Sequence, residues 1–194
     1  MTETQPSSCL TLGELSDYWT ADASADDIER IESHVFACAE CAERLNEAEQ
    51  LRRSIVDAVQ AGAFQAFVDD RVLNLLARDG IRLRTYTVEP GMVVPCALWS
   101  GDEVLVTRLR ADFTGVESVT ALMYLETGEE VQRSVDVPVG QGTRELIMAI
   151  PASTVRMMPA ARIRLTLVGK PAPEHGEILG EYVFDHSGSH ARGS

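Results

Sequence analysis

No run of apolar residues in this chain approaches the roughly 20 needed to cross a bilayer as a helix. The polar opening MTETQPSS has neither the basic nor the apolar region of a secretory signal. Both absences lead us to expect a cytoplasmic protein with no membrane association. Catalytic signatures are missing as well. There is no phosphate-binding glycine loop, no GxSxG elbow, and no segment that combines a histidine, an acid and a nucleophile. The paired carboxylates Asp102-Glu103 and Glu129-Glu130 fall in turn-like segments and read as solvated charge. The chain is therefore expected not to be an enzyme.

Cysteine is scarce, with four residues in 194. Without an export signal these are not expected to form a disulfide framework, because the cytosol keeps thiols reduced. Three of the four lie in the first 41 residues, a clustering that points to metal or redox chemistry. Cys96, inside VVPCALW, reads instead as a core thiol. His175 and His186 are too far apart and too poorly accompanied to suggest a second metal site, and both read as solvated histidines.

What is present is an ordinary globular composition, 45% hydrophobic and 24% charged, with a net charge of −13. That charge is uneven. Residues 1–79 carry 16 acidic and 6 basic side chains (net −10), and residues 80–194 carry 14 and 11 (net −3). An acidic surface repels phosphate backbones, so direct nucleic-acid binding is disfavoured and a basic protein partner is favoured.

The hydrophobic periodicity divides the chain. After a lead over residues 1–8, Leu12, Leu15 and Trp19 predict a short helix. Ser24 and Asp27 then form a capping-box pattern for a second helix carrying Ile28, Ile31 and Val35 and ending near Phe36. A third helix runs from about Cys41 along Leu45, Ala48, Ile55 and Val59, and Gly62 marks its end or a bend. Phe64, Phe67, Val68, Val72, Leu75 and Leu76 predict a fourth amphipathic helix over 63–78. It either packs on the rest of the protein or stays partly free as a partner face.

Near Asp79-Gly80 the period changes from 3.6 to 2. Eight short strands are predicted at 81–88, 93–99, 103–110, 117–125, 131–137, 144–150, 162–168 and 178–184, with no helix among them. The expected fold is a two-domain α+β protein. A three- to four-helix bundle (1–79), which the cysteine clustering marks as metal-bound, is followed by an antiparallel β-sandwich (80–186) and a flexible tail (187–194).

The sharpest local signal is His34-Val-Phe-Ala-Cys38-Ala-Glu-Cys41, an HxxxCxxC pattern across a helix end and the next helix start. Spacing of four along a helix puts His34 and Cys38 on one face. The CxxC turn brings the second thiolate back, and helix-start amides favour negative sulfur. Closed structural zinc sites take four tetrahedral ligands, and Cys9 is the obvious fourth, with Asp17 or a water as the alternatives. Sulfur-rich tetrahedral sites suit zinc better than iron or copper.

Together, the upstream Cys9, LGELSDYW, IESH and the HxxxCxxC core make residues 9–60 resemble the zinc-containing anti-sigma factor domain family. The resemblance implies three helices bundled round zinc. With a fourth helix, here 63–78, they would wedge between the two conserved domains of an extracytoplasmic-function-type sigma factor and keep it from RNA polymerase. Many family members continue into a membrane span and an outer sensor, whereas here the signal is expected in the cytosol. It would arrive by oxidation of the zinc thiolates, by proteolysis near Arg78–Arg84, or by a ligand or protein on the β domain. The alternative reading is a zinc-finger adaptor or thiol redox sensor for a different signalling protein. A ligand-binding sandwich with a merely structural zinc domain is a third.

Overall fold

The computed structural model describes residues 8–170 and 177–186; most of the predicted lead, the 187–194 tail and His175 lie outside the described residues. The first helix, α1 (Leu12–Thr20), starts with a capping box. The Thr11 hydroxyl accepts the Glu14 N–H at 3.2 Å while the Glu14 carboxylate accepts the Thr11 N–H at 2.8 Å. Helix α2 (Ala25–Ala37) starts at Ser24, whose hydroxyl accepts the Asp27 N–H, as the Ser24/Asp27 spacing predicts. Cys38 ends α2 and, in an extended conformation, is also the N-cap of α3 (Ala39–Gln60). The two helices therefore meet at a single residue. Gly62, two residues past α3, has φ +72, and a Cβ there would come within 2.7 Å of the Ser153 hydroxyl.

The segment expected to be one helix over 63–78 is instead a strand and a shorter helix. Strand β1 (Ala66–Val68) pairs antiparallel with residues 147–149, and α4 (Asp70–Arg78) begins only after it. The spacing of Phe64, Phe67 and Val68 suits either period. The ladder offered by a strand 80 residues away decides in favour of β, and the Asp69 carboxylate fixes the helix start by accepting the Val72 N–H at 3.1 Å.

The remaining strands are β2 (Leu83–Val88), β3 (Val93–Pro95), β4 (Val104–Arg110), β5 (Ser118–Leu125), β6 (Glu130–Pro138), β7 (Glu145–Pro151), β8 (Ala161–Lys170) and β9 (Glu177–His186). All eight predicted runs contain strands. The segment after β7, read as a turn, holds the short helix α5 (Ala152–Met157), in which Ala152 and Val155 are buried in the core.

The strands form a four-stranded sheet in the order β1-β7-β4-β2 and a five-stranded sheet in the order β3-β9-β8-β5-β6. Five of the seven described pairings are antiparallel, as expected. The pairs β2·β4 and β3·β9 are parallel. The chain leaves β2 for β3 in the other sheet and returns to β4, and that excursion lets β2 and β4 run the same way.

Strands β4 and β7 are apolar on both faces because something packs on each. Leu105, Leu109, Leu146, Met148 and Ile150 share one cluster with Val119, Met123, Leu165, Leu167 and Tyr182 of the five-stranded sheet. The alternate residues Val104, Val106, Ile147 and Ala149 share another with Val59 of α3 and Leu73, Leu75 and Leu76 of α4. Helices, four-stranded sheet and five-stranded sheet thus lie in layers. The 79/80 boundary expected from the sequence runs through this second cluster, where residues from both sides of it pack together.

Of the two alternatives for the fourth helix, packing on the rest of the protein is the one observed. Leu76 is fully buried. Arginines hold α4 on both sides. Arg78 donates to the Thr20 and Ala21 carbonyls at the end of α1, Arg71 lies 3.5 Å from Asp17, and Arg108 of β4 binds Asp70 and Glu145. Among the described residues no helix is long and apolar enough to cross a membrane.

Candidate metal centre

The extended backbone at Cys38 lets Cys41, one turn into α3, fold its sulfur back towards that of Cys38. Cys9 enters from the segment before α1. The Sγ atoms of Cys9, Cys38 and Cys41 all lie within 4.8 Å of one another, with Cys9 and Cys38 at 3.9 Å. Three soft donors this close, drawn from Cys9 before α1 and from both ends of the CxxC, can hold a metal ion.

The three sulfurs sit in different surroundings. Cys41 is fully buried and accepts the Leu10 N–H at 3.3 Å. The backbone N–H of Cys41 in turn points at the Cys38 sulfur and holds that thiol below its ordinary value. Cys9 is exposed, and the Glu40 carboxylate 3.5 Å away, followed by Cys38, pushes its thiol up to about 12. Glu40 is itself paired with Arg44 at 2.6 Å. The cluster thus sets a thiol eased towards its thiolate form beside a buried sulfur, and a bound cation would displace thiol protons.

His34, the fourth residue expected from the sequence, lies outside the group in which every donor pair is within 4.8 Å. Its Nε2 is nevertheless buried and has no hydrogen-bond partner among the described residues, which leaves a lone pair or proton to be satisfied. Its backbone carbonyl accepts the Cys38 N–H at 2.9 Å, so the two residues are locked to one turn. Asp17, the alternative ligand, instead lies 3.5 Å from Arg71.

Around the sulfurs the apolar core is small. Among the described residues Leu10, Leu15, Ile31 and Cys41 form a separate buried cluster, flanked by Tyr18 and Val35. Four buried side chains give three helices little hydrophobic stabilisation of their own, and a metal at the sulfurs would supply part of the deficit.

Two residues read as solvated or core from sequence are placed differently or more finely. His186, expected at the surface, is 3% exposed at the end of β9 with Nε2 3.1 Å from the Met158 carbonyl. The β9 ladder runs further than the sequence pattern indicates and carries it inside. Cys96 is half-buried against the sheet core, and burial pushes its thiol up to about 11. Neither Glu40 nor the Leu10 amide is foreshadowed at the sulfurs by local spacing, because their roles depend on where the segment before α1 lands. No family model matches the chain, and no curated protein matches it.

Proposed function

We propose that the protein is an anti-sigma factor. In this reading Cys9, His34, Cys38 and Cys41 hold a structural zinc ion and α1 to α3 grip a sigma factor, preventing its contact with RNA polymerase. The sheets form a β-sandwich that carries the signal input, and the protein acts in the cytoplasm without contacting nucleic acid or membrane. The observation that carries the reading is the convergence of the Cys9 sulfur with both CxxC sulfurs, the ligand geometry that the sequence resemblance calls for. The unsatisfied Nε2 of His34 adds to it.

The helical layer is suited to a basic protein partner. Its half of the chain has a net charge of −10, and it exposes Leu12 (83%), Phe36 (92%) and Leu51 (56%). Because the apolar side of α4 is committed to the sheet, we assign the partner face to α1–α3.

The test is a pull-down with the full chain from native cytosol, under reducing conditions with zinc, beside a Cys38→Ser/Cys41→Ser variant. Mass spectrometry should find a sigma factor on the native chain and not on the variant. Zinc-dependent capture of some other signalling protein, with no sigma factor, would replace this reading with that of an adaptor.

The 3.9 Å separation of the Cys9 and Cys38 sulfurs also favours a thiol-sensing role. A peroxide would take two electrons and two protons from the pair, forming a disulfide and leaving as water. Zinc release on peroxide treatment, reversed by a dithiol, is the outcome this role requires.

A further inference from the structure

Among the described residues one broad surface has no layer over it, the outer face of the five-stranded sheet, because the helices lie on the far side of the other sheet. Val94, Val119, Met123 and Tyr182 are buried in the core between the sheets, so strand alternation puts Val93, Thr120, Tyr124 and Val183 on the outer face. Two rows cross that face. Ile178, Val168 and Thr120 are paired in one, with Val135 beside them where β6 shifts register. Val93 and Val183 are paired in the other, which Arg164 continues, its guanidinium 5.4 Å from the centre of the Tyr124 ring. Val93, Val131, Val135 and Ile178 are 49–60% exposed, four of the ten large apolar side chains exposed among the described residues. The charges here cancel: Arg133, Arg162 and Arg164 pair with Glu130, Asp185 and Glu181.

We infer that this face is the contact between two copies of the chain, packed sheet on sheet as a two-fold dimer. Charge selects the occupant. Two chains of net charge −13 repel over most of their surfaces, and the helical half alone carries −10. The ion-paired sheet face is where two copies can meet without setting unbalanced like charges against each other, whereas a basic protein is drawn to the helical layer. The area is sufficient as well. Strands β5, β6, β8 and β9 have 8, 9, 10 and 10 residues. At about 3.3 Å per residue and about 4.8 Å between strands, with β3 added, the face spans about 600 Å². Two such faces bury about 1,200 Å², the lower end of standard specific interfaces. The dimer would carry its two helical layers, and so its two sulfur clusters, outward at opposite ends. It does not depend on the metal or on the proposed partner.

The experiment is sedimentation velocity of the full chain under reducing conditions, from about 1 to about 200 µM. The native chain should pass from monomer to dimer mass across this range. Val135→Asp/Ile178→Asp, which changes two exposed side chains and sets like charges across the contact, should weaken the dimer at least about tenfold. Phe36→Asp, on the helical layer, should dimerise as the native chain does. A second measurement needs no variant: with methyl-labelled valine and isoleucine, the Val93, Val135 and Ile178 signals should move with protein concentration while that of Ile31, buried in the helical layer, stays fixed. A native chain that is monomeric throughout would overturn the inference and leave the face to a different protein or to another part of the chain. Undiminished dimerisation of the folded double variant, dispersal of the dimer by Phe36→Asp, or methyl shifts confined to the helical layer would also overturn it.

Discussion

Cys38 is one residue with two structural duties, closing α2 and opening α3, and its extended backbone is what lets the CxxC sulfurs turn towards each other. The CxxC spacing of Cys38 and Cys41 and the upstream Cys9 made the sulfur cluster legible in the sequence, whereas His34, expected as the fourth ligand, lies outside it. The Glu40 carboxylate and the Leu10 amide were not legible, since nothing in local spacing reports where the segment before α1 lands. If His34 completes the site, His34→Ala should lower zinc affinity by at least about tenfold while three thiols retain residual binding, measured by competition with a chromogenic chelator. An unchanged affinity would reduce His34 to a packing residue.

Ionic pairs away from the sulfurs have their own signature. Hydrogen bonds from Arg52, and then from Arg53, hold Glu49 at about 2, against an ordinary 4.5. A carboxylate whose folded value is depressed stabilises the fold above its unfolded value, and that contribution is lost as pH falls towards the folded value. The stability difference between the native chain and Glu49→Gln should therefore be full at pH 7 and shrink between pH 4.5 and pH 2, as read by urea unfolding. A difference independent of pH would show that the Arg52 pair does not act on stability through charge.

At the scale of elements, the eight strands were legible because alternation in the half-buried strands, and short apolar runs bounded by turns in β4 and β7, are local properties. Strand β1 and helix α5 were missed for opposite reasons. The first takes its conformation from a ladder with β7, invisible to any local window, and the second is too short to show a period. Both parallel pairs escaped too, since they depend on which sheet β3 joins.

The second core cluster is where elements from both halves meet, and Leu76 is its fully buried helical residue. Leu76→Ala should cost about 2–5 kcal/mol of global stability by denaturant unfolding. Because Leu76 packs with Val59, Val104 and Ile147, helical and sheet signals should be lost in one transition. Separate transitions, with the sheets unaffected, would mean that the helices and sheets fold as independent units.

Across the whole molecule the buried cores are unequal in size. Among the described residues, nineteen buried side chains fill the cluster between the two sheets, nine, three of them from α4, form the helix–sheet cluster, and four, Cys41 included, form the cluster at the sulfurs. The region with the least hydrophobic support is the one with the metal donors and most of the excess negative charge. Composition made the charge asymmetry legible. The thinness of the first core was not legible, because it depends on α4 spending its apolar side on the sheet.

The most direct test of the account is the metal content of the purified full chain by native mass spectrometry, together with the helical signal before and after chelation. The account predicts one zinc per chain, none in Cys38→Ser/Cys41→Ser, and a loss of helical signal on chelation that zinc restores. A native chain that is metal-free, fully helical and indifferent to chelator would contradict it.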